Sequence, residues 1–367
     1  MTTVLSVELN PVDPLMFRRT RPFRVGGYAE TYLLPPPSTI ALAFVAELRL
    51  RGLIDAGDFK NVLNRLKEHA TFHGPLILGG DLYAPARLDY AKCEHYECGG
   101  EVFQLKWGDH GPLLVHGGCG RVAKLLRNHV MSLKAVTQPL KGGLNGLVKE
   151  LSEICARELR AGLYLREQTK NVVPRYFHQA QRVSLARGYS LLEFISVKSD
   201  ELKSAIAKLR LLKVGGKGGL VEAELKSSMD LGGYYKSLTQ MDLEVAADRI
   251  AKDHYFDLVL LTPAIFLEGG RSVWKPAPLP KGFPTDDVEL VGAALSKPVE
   301  ASGWDSALRS PTAMYFAAPA GAVYRYRLKR ELNRLEVVEG VIKPVISENV
   351  GEWGVIGYGT ALPIPKF

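Results

Sequence analysis

The sequence predicts an α+β fold in which antiparallel sheets are covered by a few helices. Segments with strand character outnumber those with helical character along the 367 residues, and they do not alternate strictly with helices as in a doubly wound sheet. The chain is long enough for two domains, and 46% hydrophobic residues suffices for two packed cores. Two βαββαβ units of the ferredoxin-like, RRM-like kind are therefore the layout that we predict.

The first predicted elements are a strand and a helix joined by a long loop. VLSVELN at 4–10 alternates apolar and polar residues, as a strand with one buried face does. The loop ends at the rigid PPP of 35–37. Ser38 or Thr39 can then cap a helix that extends to about Leu53, because the apolar positions after them share one face.

A second helix, a strand and an irregular region follow. Asp58 can cap a helix that ends near Ala70, and HGPLILGG at 73–80 indicates a strand. Residues 84–118 are rich in Gly, His and Cys, which predicts an insertion without regular structure. RVAKLLRNHV at 121–130 predicts a third helix.

Three strands are predicted next, and the chain changes domains at this point. RELRAGLYL, RYFHQAQRVSL and YSLLEFISV have strand character, with turns near 167–174 and 187–188. We therefore predict an N-terminal domain over residues 1–190, with the insertion near 84–118. Residues 191–367 are predicted to form a C-terminal domain that ends in a glycine-rich loop.

The second half repeats the mixture of one helix and several strands. DELKSAIAKLR at 200–210 predicts a helix. The predicted strands are VEAELK, FDLVLLTPAIF, VELVGAAL, TAMYFAAP and AVYRYRL. This succession again favours an antiparallel sheet with little helical cover.

The net charge of +8 is concentrated in one fifth of the chain. Residues 120–190 contain thirteen Lys or Arg and four Glu, a net charge of +9, so the remainder carries −1. A local excess of this kind is typical of a polyanion-binding surface, since each neutralised phosphate releases counterions. On charge alone, a solvated basic face is an equally good interpretation.

Composition also predicts the compartment. No apolar stretch approaches the roughly 20 residues of a membrane span, and MTTVLSVELN does not have the pattern of a signal peptide. Four cysteines are few for a secreted protein built on disulfides and are compatible with a reducing compartment. We therefore predict a cytoplasmic protein with no membrane partner.

A glycine pattern in VHGGCGRVAKLL, at 115–126, superficially suits a dinucleotide-binding fold. Gly118, Gly120 and Ala123 form G-x-G-x-x-A between an apolar segment and the predicted helix. The acidic residue expected about 20 positions later is missing. A tight turn before a basic helix is the better interpretation, and no P-loop, G-x-S-x-G or H-E-x-x-H motif occurs elsewhere.

Cysteine and histidine residues cluster in the predicted insertion. Cys93, Cys98, His116 and Cys119 form one set of soft ligands that suits a tetrahedral zinc ion. Their spacing matches no common zinc finger, and ordinary loop residues are the alternative interpretation. We therefore predict no metal or other cofactor and retain these four residues as zinc candidates.

One histidine offers a catalytic alternative. His178, in RYFHQAQR, has neighbouring arginines that can hold phosphate while a near-neutral imidazole moves a proton. A metal-independent ribonuclease would use such a group, whereas a lone histidine on a strand is more often structural. We predict that the chain is not an enzyme.

Two glycine clusters can bring main chain close to a ligand. They are KVGGKGG at 213–219 and WGVIGYGTAL at 353–362. Free N–H groups in such turns can form an anion nest, and Lys213 and Lys217 add charge to the first turn. Tyr358 adds a face on which a base of single-stranded RNA can stack. Simple hairpin turns are the alternative.

Several segments together resemble one family across nearly the whole chain. They are DPLMFRRTRPF, PPPSTIALAF, LLKVGGKGG, LVLLTPAIF, SGWD, AAPAGAVYRYRL and IGYGTAL. In order and approximate spacing they are similar to the third subunit of the Cmr complex, the RNA-guided type III-B CRISPR effector, within the RAMP superfamily. One departure is that this chain has Arg19 and Thr20 where the family usually carries an acidic residue and a glycine.

The resemblance implies a non-enzymatic RNA-binding subunit with two ferredoxin-like RAMP domains and no cofactor. It implies that the chain binds the repeat-derived 5′ tag of the guide crRNA in antiviral defence. The implied protein partners are the large polymerase-like subunit and the backbone RAMP subunit, with indirect contact to target RNA. The alternative is a metal-independent RAMP endoribonuclease that processes CRISPR repeat RNA.

The predicted RNA contacts combine the family motifs with the chemistry of the residues. In DPLMFRRTRPF, Arg18, Arg19 and Arg21 are the expected phosphate clamps. Phe17 is the expected anchor of this loop, and Phe23 an anchor or a stacking surface. The other predicted contacts are Ser38 and Thr39 at a helix start that suits phosphate, and Lys141, Lys170, Arg175, Arg182, Gly215, Gly216, Lys217, Gly218, Gly357, Tyr358 and Gly359.

Overall fold

The structure is a computed structural model with an α+β architecture of several antiparallel sheets. It describes residues 2–19, 28–54, 57–109, 111–138, 144, 146–216, 218–305 and 307–366. Within these ranges, the side chains of 163–165 and 172–178 are not described. The predicted fold class is confirmed at this level.

The regular elements are numbered in chain order. The strands are β1 Thr3–Pro11, β2 Tyr28–Ala29, β3 Ala70–Leu78, β4 Leu82–Pro85, β5 Tyr90–Lys92, β6 Val102–Gln104, β7 Lys124–Leu125, β8 His129–Ser132, β9 Val148–Glu150, β10 Cys155–Leu165, β11 Val172–Leu185, β12 Ser190–Val197, β13 Leu211–Val214, β14 Gly219–Met229, β15 Tyr255–Leu260, β16 Leu267–Glu268, β17 Arg271–Ser272, β18 Val288–Ala294, β19 Val299–Ala301, β20 Trp304–Asp305, β21 Ser310–Pro311, β22 Tyr315–Ala317, β23 Val323–Leu328 and β24 Ala361–Pro365.

The helices are interspersed among these strands. They are α1 Pro37–Leu50, α2 Phe59–His69, α3 Leu133–Thr137, α4 Leu151–Ile154, α5 Asp200–Ala207, α6 Leu231–Thr239, α7 Leu243–Asp253, α8 Arg334–Glu336 and α9 Lys343–Glu348, with a 3₁₀ turn at Tyr96–Cys98 and a π-helix at Val337–Ile342. None of the helices in the described ranges has both the length and the apolar character needed to cross a membrane.

An eight-stranded sheet organises the first half, in the order β13-β14-β1-β12-β3-β4-β8-β9. Helices α1 and α2 connect β1 to β3, and α5 leads from β12 to β13 and β14. The antiparallel order β14-β1-β12-β3 is that of a βαββαβ unit. Because β12, β13 and β14 all belong to this sheet, it extends to Met229, past residue 190, where we predicted the domain boundary.

A four-stranded antiparallel sheet, β18-β23-β15-β24, repeats this strand order in the second half. The segment of α8, the π-helix and α9 connects β23 to β24. Residues 261–287, between β15 and β18, are fully described and contain no helix. Helix α7, which precedes β15, packs against β24 and the π-helix instead.

Helix starts follow capping chemistry, with one difference from prediction. Asp58 caps α2 as predicted, since its carboxylate accepts the N–H of Asn61 at 2.8 Å. Helix α1 begins earlier than predicted, at Pro37 with Pro36 as N-cap, so neither Ser38 nor Thr39 is the cap. Proline suits this first turn because it needs no N–H partner and its φ is already helical.

Two predictions of local structure are wrong. RVAKLLRNHV is not a helix, because Lys124–Leu125 pairs with β5 and the next strand, β8, begins at His129. The predicted irregular insertion contains β5 and β6, which form a small sheet with β7. Helices α6 and α7 and the helical segment from α8 to α9 were not predicted. The first contains two glycines and the last contains Gly340 and Pro344, which lower helix propensity.

A buried ion cluster joins the two halves. Arg87 and Asp89 follow β4, whereas Asp257 and Arg325 come from β15 and β23. Arg87 Nη2 lies 2.6 Å from Asp89 Oδ2 and 3.0 Å from Asp257 Oδ2, and Arg325 Nε lies 2.7 Å from Asp257 Oδ1. Asp257 thus binds one arginine from each half, which fixes the position of one sheet relative to the other.

Asn349 forms a second connection, between β3 and the turn that precedes β24. Its Oδ1 lies 2.8 Å from Nδ1 of His73, and its amide nitrogen donates to Phe72 O at 2.8 Å and Gly354 O at 2.7 Å. Nε2 of His73 lies 2.7 Å from Ser196 Oγ. Burial lowers the pKa of His73 to about 4, so the imidazole is neutral in this network at pH 7.

Candidate nucleic-acid interface

The opening loop, defined here as residues 12–19, is fixed by backbone hydrogen bonds. Leu15 and Val183 of β11 exchange N–H···O bonds of 2.8 and 2.7 Å. The N–H of Phe17 donates to Thr31 Oγ1 at 2.8 Å, and Phe17 is 4% exposed. Phe17 therefore anchors the loop as predicted, and it leaves the next residue, Arg18, exposed.

The turn between β13 and β14 packs against the opening loop. The N–H of Gly216 donates to Met16 O at 2.8 Å, and that of Gly218 donates to Gly215 O at 3.2 Å. Gly215 has a φ of +73°, and a Cβ there would lie 2.5 Å from Met16 O, so this position requires glycine. The predicted anion nest is wrong for Gly216 and Gly218, because both N–H groups bind the protein's own backbone.

The hairpin of β10 and β11 lies on the other side of the opening loop. Nη1 of Arg182 donates to Pro14 O at 3.3 Å, so this predicted RNA contact also supports the loop. Arg157 and Arg160 are exposed on β10, and Lys170 is exposed in the turn at the tip. The base of this hairpin, at Cys155 and Val183, packs in the same hydrophobic core as β1.

A cleft of about 280 Å³ lies between the opening loop and the start of α1. Arg19, Tyr32 and Arg157 line it from the first half and Thr262 from the second. The Arg19 guanidinium carbon lies 5.2 Å from the centre of the Tyr32 ring, and its Nη1 lies 3.3 Å from Glu30. The cleft therefore combines fixed cations with an aromatic side chain at the junction of the two halves.

Tyr358 lies on the buried side of this cleft, beside the buried Ser38. The ring centre of Tyr358 lies 5.6 Å from that of Trp353. Burial raises the pKa of Tyr358 to about 12 despite the Ser38 hydroxyl. Because Tyr358 is only 2% exposed, the prediction that a base stacks on it is wrong.

The main chain around Tyr358 is also satisfied within the protein. The N–H groups of Gly357 and Gly359 donate to Gly354 O at 3.0 Å and to Pro263 O at 2.8 Å. The N–H of Thr39 donates to Pro36 O at 2.9 Å. The predicted phosphate contacts of these three N–H groups are therefore wrong, because each N–H already has an internal acceptor.

Some predicted contacts lie outside the described residues. They are Arg21, Phe23, Lys141 and Lys217, and the side chains of Arg175 and His178. Their roles stay predictions. Conversely, Arg157, Arg160 and Lys213 are exposed on the described surface and were not predicted as contacts. The charge excess of residues 120–190 already contained the first two, but charge alone did not distinguish them from other cations of that segment.

The four zinc candidates do converge. One ligand atom from each of Cys93, Cys98, His116 and Cys119 lies within 4.8 Å of the other three. The glycine pattern beside them is a turn followed by β7 rather than by a helix, which agrees with the tight turn and not with a dinucleotide site.

Comparison with known proteins identifies the family. The family model described as CRISPR-associated protein (Cas_Cmr3) matches residues 7–366. The chain belongs to this family. It is thus a RAMP-superfamily subunit of the Cmr group, type III-B CRISPR, as the resemblance indicated. A search of curated proteins finds no significant match by sequence.

Two chains from solved structures agree in fold. A chain of the type III-B Cmr-beta complex bound to cognate target RNA is 16% identical with a TM-score of 0.52, over 87% of this chain and 86% of that one. In the same complex with target RNA and AMPPnP, state 1, identity is 16% and the TM-score 0.51, over the same shares of both chains. A chain of a Csm3–Csm4 subcomplex is 12% identical with a TM-score of 0.43, over 99% of both chains.

Proposed function

We propose that this Cmr-family protein is the non-catalytic subunit that binds the 5′ tag of the guide crRNA in a type III-B effector. In this proposal both βαββαβ-ordered halves are ferredoxin-like domains. The subunit also docks the large polymerase-like subunit and the backbone RAMP subunit, and it meets target RNA only indirectly. Family membership supports the class of assembly, and the surface around the opening loop supports the place of RNA contact.

The observation that carries the proposal is the contiguity of three basic elements. The opening loop contacts the β13–β14 turn through Met16 and Gly216 and contacts β11 through Leu15 and Val183. Segments roughly 170 and 200 residues apart in sequence thereby form one surface. Arg18, Arg157, Arg160, Lys170 and Lys213 are its exposed cations. We call these five residues the basic surface.

The chemistry of this surface suits a phosphate backbone. Arginine presents a planar, permanently charged fork that matches phosphate oxygens, and lysine adds a point charge. The glycine turn acts by holding the opening loop, since its N–H groups are occupied, rather than by binding anions itself. The cations therefore supply affinity, while the packed turn and hairpin fix where they stand.

The test measures binding of crRNA by the purified full-length chain over a series of salt concentrations. The double variant Arg18→Ala/Arg157→Ala is compared with Arg249→Ala/Lys252→Ala, which removes two exposed cations from α7. The log affinity of the parent protein should fall linearly with log salt, and the first variant should reduce the slope by about 2, or about 1 per phosphate contact.

The matched α7 variant should leave that slope unchanged, and crRNA with a scrambled tag should bind more weakly. Equal losses in both double variants would show that the cations act only through net charge. Incubation of the purified protein with repeat RNA in EDTA distinguishes the ribonuclease alternative from binding alone. Repeat RNA should stay intact, and metal-independent cleavage that disappears in His178→Ala would favour the endoribonuclease.

A further inference from the structure

The Cys/His lobe, residues 90–125, has side chains that the RNA-binding role does not use. In its described residues, the regular structure is the small sheet β6-β5-β7 with the 3₁₀ turn, and the lobe's own hydrophobic cluster has three buried members, Ala91, Leu105 and Ala123. A core of this size is too small to hold a lobe of that length. We propose that Cys93, Cys98, His116 and Cys119 bind a structural Zn²⁺ ion that stabilises the lobe.

The distances fit a tetrahedral ion. Sγ of Cys119 lies 3.6 Å from Sγ of Cys93 and 3.2 Å from Nδ1 of His116, which lies 3.5 Å from Sγ of Cys98. With Zn–S of about 2.3 Å and Zn–N of about 2.0 Å, tetrahedral geometry gives an S···S distance of about 3.8 Å and an S···N distance of about 3.5 Å. A disulfide needs an S–S distance of about 2.05 Å, so these thiols are not bonded to one another.

Two hydrogen-bonded turns present the four ligands. In the first turn, the N–H of Cys93 donates to Glu101 O at 2.9 Å, and Cys98 lies in the segment that this hydrogen bond closes. In the second, the N–H of His116 donates to Arg121 O at 2.8 Å and that of Gly120 donates to His116 O at 2.8 Å. Each turn contributes one pair of ligands, an arrangement in which the ion cross-links two otherwise separate loops.

A carboxylate fixes the histidine in the orientation that a metal requires. Oε2 of Glu101 lies 3.4 Å from Nε2 of His116, on the side of the ring opposite to the sulfur atoms. The Phe103 ring packs on the imidazole, with centres 4.5 Å apart. A proton on Nε2 held by Glu101 leaves the Nδ1 lone pair directed at the thiols, so Glu101 is a positioning residue.

The ligand set selects the metal and its role. Three thiolates and one imidazole favour Zn²⁺, whereas Mg²⁺ and Ca²⁺ prefer oxygen ligands. Because the protein supplies all four ligands, no position is left for substrate, which is typical of a structural site. The lobe reaches the second half through Trp107, whose ring centre lies 4.0 Å from the guanidinium carbon of Arg325. The ion therefore stabilises a lobe that packs against the buried ion cluster between the two halves.

Metal analysis of the untagged full-length chain, purified under reducing conditions without chelator, tests the proposal. The parent protein should contain about one zinc per chain, and Cys98→Ser and Cys119→Ser should lose it. Cys155→Ala is the matched control, because Cys155 is a buried cysteine of β10 outside the cluster, and it should keep its zinc. Removing zinc from the parent protein should expose residues 93–122 to limited proteolysis before the rest of the chain.

A variant that retains all four ligands covers the case in which the serine variants do not fold. Glu101→Gln should bind zinc about 10–100-fold more weakly in competition with a chelator. Replacement of zinc by Co²⁺ should give the thiolate charge-transfer bands of a tetrahedral site. A parent protein without stoichiometric zinc, or one with a Cys93–Cys119 disulfide, would overturn the proposal, as would equal zinc affinity in Glu101→Gln.

Discussion

The buried ion cluster and the basic surface use cations in opposite ways. In the cluster, Arg87 and Arg325 are each bonded to carboxylates, and both are at least 95% removed from solvent. Burial alone would raise the pKa of Asp89, but the Arg87 guanidinium holds it below its usual value. Every charge of the cluster has a partner inside the protein, so its contribution is to the fold.

The cations of the basic surface, by contrast, are exposed. Arg157, Lys170 and Lys213 are exposed, and of the cations on β10 only Arg160 has a described ion pair, to Glu158 at 3.3 Å. Exposed pairs of that kind contribute little to stability. The comparison teaches that the same residue type serves structure where carboxylates match it in number and presents its charge at the surface where they do not.

The largest expected effect comes from breaking the cluster. Asp257→Ala removes the carboxylate shared by Arg87 and Arg325 and leaves two buried cations partly unpaired. The free energy of unfolding should fall by about 3–5 kcal/mol. Denaturant titration measures it, with Arg157→Ala as the surface control, which should change stability by less than about 0.5 kcal/mol. Similar losses in the two variants would remove the distinction between the regions.

Glu193 sharpens the comparison, because it is a buried acid for which no ion pair occurs among the described residues. It lies on β12, where a side chain on Gly74 would come within 3.0 Å of its Oε2. Burial raises the pKa of Glu193 well above its usual value, although the His73 backbone opposes the shift. Pairing, and not burial, therefore decides whether an interior carboxylate stays charged.

Glu193→Gln should stabilise the protein at pH 8 by an amount of the order of 1 kcal/mol. In the parent protein, the folded state keeps the Glu193 proton at pH values where the unfolded state has lost it. The parent protein therefore has its full stability below pH ~4.5 and loses stability as the pH rises toward the folded pKa of Glu193, whereas the variant does not. The difference in unfolding free energy between parent and variant, measured from pH 4.5 to 8, should grow with pH. A constant difference would mean that Glu193 titrates normally.

Part of this organisation was predictable from local sequence. The strands around the first sheet followed from the alternation in segments such as VLSVELN, and the charge excess of residues 120–190 indicated the basic hairpin. The set of Cys93, Cys98, His116 and Cys119 was also found from residue type alone. These features depend on patterns that a short stretch of chain carries by itself.

Other features depend on contacts between distant segments. KVGGKGG predicts free N–H groups, but Met16, 200 residues earlier, takes the N–H of Gly216. IGYGTAL predicts an exposed aromatic residue, but packing against Ser38 and Trp353 buries Tyr358. A glycine-rich turn permits close approach of any backbone, and the sequence does not distinguish an approaching ligand from an approaching strand.

Lys170 gives the clearest separation of binding from folding. It lies in the turn between β10 and β11, where its N–H donates to Arg166 O at 2.9 Å, and its φ is +54°. A left-handed residue other than glycine costs roughly 1 kcal/mol. Glycine accepts this backbone conformation, so it can replace Lys170 without straining the turn.

Lys170→Gly should therefore leave stability unchanged or raise it by up to about 1 kcal/mol, while the salt slope of crRNA binding falls by about 1. Lys170→Asn, which tolerates the same backbone, should lose the same binding, and Lys170→Arg should retain it. Anisotropy titrations of the three variants at matched salt measure this. If Lys170→Gly binds crRNA as the parent does, the tip of the hairpin lies outside the RNA contact, and the basic surface is confined to the opening loop and its immediate neighbours.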